Sequence, residues 1–261
     1  MCYAEFMIRV CVAGVTGWVG EPLAAAIESE EDLALVAAVA RRAAGQPLGR
    51  LTISGSVQAA LAVPSDVFVD YTSAAAVKEN VLAAVRAKRH VVVGSSGLSD
   101  EDFHEIDQAA KNARVGVVAV GNFAITAALL QRFAVEAARH LSSWEIIDSA
   151  HAGKMDAPSG TARELAWRLS EVRAPDVEVP VEKTVGDATA RGAAVNQSRI
   201  HSLRIPGYTI GVEIRFGRQD ERLTLSYDGG PGATPYVSGT LLAIRRVRDF
   251  VGVVRGMDRL L

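Results

Sequence analysis

Short, continuous apolar runs alternate with segments of helical period through the first half of the chain. "IRVCVAGV" (8–15) ends at Gly14, and "GWVGEPLAAAIES" reads as a helix from Gly17 to about Ser29. Strands are expected over "LALVAAV" (33–39), "DVFVDYT" (66–72), "HVVVGSSG" (90–97) and "VGVVAVGNF" (115–123). A helix is expected over "SAAAVKENVLAAVRAK" (73–88). Ser99 with Asp102 three residues on predicts a capped helix over 100–112. The strands are apolar throughout rather than alternating, as in a parallel sheet covered on both faces. Alternating βαβ units then imply a doubly wound α/β domain.

The pattern changes after residue 123. A helix is predicted over about 125–140, a strand near 144–150 and a helix over about 159–170. Residues 173–198 give no clear pattern. "RIHSLRI", "YTIGVEIRF" and "ERLTLSY" show partial alternation and read as neighbouring strands of a largely open mixed sheet in an α+β domain. A last helix, roughly 236–252, returns to the first domain. The expected division is 1–123 with 236–261, and 124–235.

Composition narrows the setting. Of 261 residues 49% are hydrophobic and 22% charged, which suits a well-packed soluble protein. A net charge of −2 gives no general pull toward nucleic acid or anionic lipid. Cys2 and Cys11 have no metal-ligand spacing and read as ordinary thiols of a reducing compartment. The apolar run near the start has no positively charged leader, and no stretch approaches the ~20 apolar residues of a membrane helix. A cytoplasmic protein is expected.

Candidate chemistry begins at Gly14, Gly17 and Gly20, a G-x-x-G-x-x-G turn between the first strand and the first helix. Small residues there allow a tight turn, a close backbone approach to pyrophosphate and close helix–sheet packing. Thr16, Trp18 and Val19 lie within the turn and are candidate cofactor contacts with it. The second strand ends in Arg41 and Arg42, where an NAD site usually carries an acid. Two guanidiniums suit a 2′-phosphate and favour NADPH, with NADH possible; a solvated basic loop is the plain alternative.

The densest cluster is "HAGKMDAPSGTA" (151–162). His151 titrates near neutrality and Lys154 carries positive charge or a proton. Ser159, Gly160 and Thr161 open a helix whose N–H groups suit a carboxylate. Asp156 reads mainly as a structural acceptor of backbone hydrogen bonds. His201 and Arg204 lie on a later strand and face either the cleft or solvent.

Together with "VAGVTGWVG" (12–20), "VDYT" (69–72), "GSSG" (94–97) and "GNFAIT" (121–126), the run "KMDAPSGTA" (154–162) resembles the dihydrodipicolinate reductases of lysine biosynthesis. The resemblance covers most of the chain. It implies a Rossmann domain for NAD(P)H, a second domain for substrate and assembly, a homotetramer, and hydride transfer to a cyclic imine dicarboxylate. It places Tyr71 and Thr72, with Asp70, at a strand end beside the cofactor. Gly94, Ser95 and Ser96 lie in its nicotinamide loop, with serines where threonines are usual. Gly121, Asn122 and Phe123 match the segment that packs on the nicotinamide.

The chain departs from the family in the substrate site. Aligned on Lys154, Ala150 takes the place of the first of two histidines, the proton donor, and His151 that of the second. Ala124 replaces a serine, Val212 a later histidine and Gly232 an arginine. These losses favour an NADPH-dependent imine reductase with a different, less carboxylated substrate, with Lys154 and His151 as its catalytic candidates. The alternatives are a genuine 4-hydroxy-tetrahydrodipicolinate reductase and a catalytically silent NAD(P)-binding protein.

Overall fold

The computed structural model describes residues 7–261. In chain order it runs β1 (Ile8–Ala13), α1 (Gly20–Ser29), β2 (Leu33–Val39), a small hairpin of β3 (Pro47–Leu48) and β4 (Leu51–Thr52), and α2 (Val57–Leu61). Next come β5 (Val67–Asp70), α3 (Val77–Arg86), β6 (His90–Val93), α4 (Asp100–Ala113) and β7 (Gly116–Ala119). The middle of the chain holds α5 (Ile125–Ala138), β8 (Ser143–Ala150), α6 (Gly160–Ser170), β9 (Ala193–Val195), β10 (Ser198–Arg204), β11 (Ile210–Arg218) and β12 (Glu221–Gly229). It closes with α7 (Thr234–Arg246) and β13 (Gly252–Arg255).

The chain divides into two compact units. One takes the described part of Met1–Ile125 together with Ala233–Leu261, and the other takes Thr126–Gly232. The first is built on a six-stranded sheet in the order β13-β7-β6-β5-β1-β2, all of whose pairs are parallel. Val10, Val12, Phe68, Val69, Val91 and Val92 are fully buried, as the continuous apolar runs require of a sheet covered on both faces. From β1 the chain moves outward to β2 and then returns to β5 on the other side of β1. The carboxyl ends of β1 and β5 therefore form the topological switch point, where open α/β sheets bind ligands.

Several element bounds shift, among them the strands expected over 90–97 and 115–123, which end at Val93 and Ala119. The first helix begins at Gly20 rather than Gly17, because residues 14–17 are spent in a turn closed by the Gly17 N–H on the Gly14 carbonyl (2.9 Å). The strand expected to reach residue 72 stops at Asp70, and its helix starts at Val77. The last helix stops at Arg246, and Gly252, at φ +89°, opens β13 beside β7. The cap of α4 forms as read, with Ser99 and Asp102 in a reciprocal capping box. Cys11 is buried, which pushes its thiol up to about 12, while Cys2 lies outside the described residues. Among the described residues no helix is long and apolar enough to cross a membrane.

The second unit carries a mixed five-stranded sheet, β12-β11-β8-β10-β9. Central β8 pairs in parallel with β10 and antiparallel with β11. Trp144, Ile146, Asp148 and Ala150 alternate onto one buried face of β8, opposite Phe216, Ile214, Val212 and Ile210. Helix α6 lies against β8 and β10. Residues that gave no pattern form two 3₁₀ turns, Val181–Lys183 and Ala188–Arg191, before β9.

Candidate active site

In the first unit a cavity of about 500 Å³ opens at the switch point. Its floor is the glycine turn, with Gly14, Thr16 and Gly17 in the lining. Gly14 has φ +83°, and a Cβ there would lie 2.1 Å from the Tyr71 carbonyl oxygen. A Cβ on Gly20 would lie 2.0 Å from the Gly14 oxygen, so the start of α1 sits directly on the turn. Arg41 and Arg42 line one side, and both side chains are exposed. Among the described residues neither forms an ion pair.

Tyr71 and Thr72 line the other side with Asn80 of α3. A buried carboxylate organises them. Asp70 is fully inaccessible, and its Oδ1 accepts from the Thr72 N–H (3.1 Å), the Thr72 hydroxyl (2.8 Å) and the Ser95 hydroxyl (2.6 Å). Its Oδ2 accepts from Asn80 (2.9 Å). Four donors satisfy the carboxylate without a cation. The network ties the end of β5 to α3 and to the loop after β6.

The Tyr71 hydroxyl lies 2.6 Å from Thr240 Oγ1 of α7. Thr240 donates its proton to the Tyr236 carbonyl (2.7 Å), so Tyr71 is the donor to Thr240. Burial holds the phenol well above its usual pKa and keeps it neutral. The Tyr71 ring packs near Phe123 at 6.0 Å, and a Cβ on Gly94 would strike that ring. Trp18 is exposed and stacks edge-on against Tyr236 at 5.2 Å.

In the second unit the run 151–162 forms the turn between β8 and α6 together with the first residues of that helix. His151 is exposed, and its carbonyl accepts the Lys154 N–H (3.0 Å). The Lys154 ammonium, largely sheltered, sits 2.7 Å from Asp156 Oδ1. Burial opposes ionisation of Asp156, yet the Lys154 contact and the nearby Arg204 charge hold its carboxyl below the usual range. Ser159 is the N-cap of α6: its hydroxyl accepts the Ala162 N–H (3.3 Å) and its own N–H goes to Asp148 (2.8 Å). Thr161 is buried. Gly160 is exposed at the first helical position, and a Cβ there would meet no protein atom within 4 Å.

Residues 8–123 match the sequence model described as "Dihydrodipicolinate reductase, N-terminus", and residues 126–261 the one described as its C-terminus. The chain belongs to the dihydrodipicolinate reductase family. It is 37% identical to a 4-hydroxy-tetrahydrodipicolinate reductase of Moorella thermoacetica, over 97% of this chain and 98% of that one. It is 36% identical to one from Cutibacterium acnes, over 98% and 99%. A dipicolinate-bound dihydrodipicolinate reductase from Paenisporosarcina sp. TG-14 superposes with a TM-score of 0.81 at 28% identity, covering 98% of this chain and all of that one. As a member of this family the reductase is an NAD(P)H-dependent oxidoreductase.

The residues present fit such a cofactor. The cavity combines a glycine turn beneath a helix start with two exposed guanidiniums free of carboxylates among the described residues, a donor set made for phosphate. Of the residues singled out in the sequence, Gly14, Thr16, Gly17, Arg41, Arg42, Tyr71 and Thr72 line it. Trp18, Val19 and Gly20 fall outside that lining: Trp18 stacks on α7, and Val19 and Gly20 are buried. Gly94 and Ser95 join through Tyr71 and Asp70, while Ser96 is exposed beside them. Phe123 and Asn122 are buried and Gly121 is exposed.

The sequence reading did not reach Asn80, nor Gln58 and Ser73, which also line the cavity. Arg204, left undecided there, binds Asp148, whereas His201 turns to the opposite sheet face and meets Glu145 at 2.7 Å.

Proposed function

We propose that this protein is a 4-hydroxy-tetrahydrodipicolinate reductase, reducing the cyclic imine dicarboxylate of lysine biosynthesis with NADPH. The observation that carries the reading is the juxtaposition in one loop of Lys154 and the open start of α6, on a chain aligned end to end with reductases of that name. Gly14 and Gly17 would hold a nicotinamide dinucleotide, whose chemistry when bound would be hydride donation. Arg41 and Arg42 would hold its 2′-phosphate. Backbone N–H groups at Gly160 and Thr161, with the Ser159 cap shaping them, receive a substrate carboxylate. Lys154, with His151 exposed nearby, supplies the proton that the imine nitrogen needs as its carbon is reduced. The second unit is the substrate and assembly domain of a homotetramer, which sedimentation would register as a particle of four chains.

The altered-substrate reading, favoured by the sequence alone, becomes the second one. It keeps one specific observation: where imidazoles were expected stand Ala150, fully buried, and Val212, 2% exposed. NADPH oxidation with freshly made dihydrodipicolinate separates the two. The proposal expects sustained turnover that Lys154→Ala lowers by about 10²-fold or more while leaving NADPH binding intact. Turnover of less carboxylated imines but not of dihydrodipicolinate would transfer the assignment to the second reading.

A further inference from the structure

Between Lys154 and the start of α6 lies Met155-Asp156-Ala157-Pro158-Ser159, and one partly buried ion pair holds it at Asp156 and at Ser159. Asp148 Oδ2 accepts the Ser159 N–H and Arg204 Nη2, each at 2.8 Å. The same Nη2 donates to the Asp156 carbonyl at 2.6 Å. Arg204 Nη1 donates to the carbonyls of Leu203 (2.8 Å) and Asp148 (3.2 Å), and Ser202 adds a third side-chain or backbone donor to Asp148 Oδ2 (3.0 Å). In the β8–β10 register Arg204 stands directly beside Ala150, where the family resemblance implies an imidazole.

The pair is not arranged for its own strength. An arginine and a carboxylate bind best side-on, with two parallel hydrogen bonds. Here Asp148 Oδ1 and Arg204 Nε are both buried and, among the described residues, both unpartnered. The guanidinium has turned away from the second carboxylate oxygen and toward the Asp156 carbonyl. Burying an ion pair already costs desolvation, and leaving two of its polar atoms unmet costs more. What the arrangement delivers is a fixed loop: the Asp156 carbonyl is pinned at one end and the Ser159 N–H at the other. Asp156 in turn carries the Lys154 ammonium on its carboxylate.

We propose that Arg204 is a positioning residue for Lys154: with Asp148 it sets the span between the lysine ammonium and the N-terminus of α6. The proposal rests on the reading of Lys154 and α6 as the substrate-facing groups. A lysine at 204 keeps a charge for Asp148 but ends one bond shorter and has a single nitrogen, where Arg204 uses Nη2 on Asp148 and the Asp156 carbonyl and Nη1 on the Leu203 and Asp148 carbonyls.

The test uses Arg204→Lys in the full-length protein, with and without Lys154→Ala. The first readout needs no turnover: acylation of Lys154 by an amine-reactive ester, followed by mass spectrometry against exposed Lys183 in the same chain. Freed from its clamp, Lys154 should react about tenfold faster, and kcat/KM for dihydrodipicolinate should fall about tenfold, since small displacements of a reacting group are expensive. In the Lys154→Ala background the same substitution should change kcat/KM by no more than about twofold, the mark of residues acting through one another. NADPH affinity should not move. Unchanged acylation, or a full tenfold loss persisting without Lys154, overturns the proposal. Should Arg204→Lys fail to fold, Asp148→Asn, which keeps the side-chain shape, must give the same pattern. A wild-type enzyme inactive on dihydrodipicolinate refutes the substrate assignment alone, and the acylation readout still decides the role of Arg204.

Discussion

Arg41 and Arg42 extend from the end of β2 with no carboxylate of the described residues to hold them, so a bound phosphate would be their main partner. Arg41→Ala should weaken NADPH by about tenfold or more, the worth of a charge-assisted hydrogen bond, while NADH loses far less. Fluorescence titration with both cofactors reads this directly, and equal losses would remove Arg41 from cofactor choice. Gly160 offers a cleaner steric probe. A methyl group there touches no protein atom, and alanine improves helix propensity by at most about 1 kcal/mol. Gly160→Ala should therefore melt no lower than wild type yet bind dipicolinate several-fold more weakly. Unimpaired binding would move the carboxylate away from the helix start.

Among the elements, β6 is tied to its neighbour by an imidazole. His90 Nδ1 accepts the Gly116 N–H of β7 at 3.0 Å, which requires that nitrogen to be unprotonated. Burial first, and the Arg248 charge second, hold the His90 pKa below its ordinary value. The unfolded chain thus takes up this proton before the folded one does. Stability from His90 is whole above about pH 6.5 and is lost as pH falls through that value toward the lower folded pKa. Urea midpoints at pH 7.5 and 5.5 should separate for wild type more than for His90→Asn; identical separations would exclude His90 as the source.

Elements whose signal is local were legible in advance. Continuous apolar runs marked β1, β2 and β5 to β7, the Ser99–Asp102 spacing marked the start of α4, and the glycine spacing marked the turn between β1 and α1. Strand β13 was not, because "VRDFVG" continues the helical period and only Gly252 breaks it. The Asp70 network was hidden for another reason: Asp70 and Ser95 are 25 positions apart and meet only through the register of β5 on β6. The Asp148–Arg204 pair did leave a trace. In "WEIIDSA" the alternation puts Asp148 on the same face as Trp144, Ile146 and Ala150, and a carboxylate in an apolar stripe calls for a partner.

At the scale of the molecule, the cavity at the glycine turn and the run 151–162 belong to different units. NADPH at about a hundred times its Kd stabilises what it binds by about 2.7 kcal/mol, and on the proposed reading that energy enters through the first unit. Hydrogen exchange with NADPH should slow in β1, β5 and residues 14–17 and remain unchanged in β11 and β12. Equal slowing of β11 and β12 would show that the two units open together.

The first unit is also interrupted: its sheet begins with β1 and gains its sixth strand, β13, only after the whole second unit has intervened. A ribosome adds roughly 5–20 residues per second. The second unit is continuous in the chain and can finish folding while the sheet of the first unit still presents the bare edge of β7. For some seconds to tens of seconds the nascent protein carries an unpaired strand that invites mispairing. Edge protection during synthesis therefore falls to α4 and to whatever chaperone attends the emerging chain. A transcript broken within 233–261 would yield a complete second unit with an unfinished first unit.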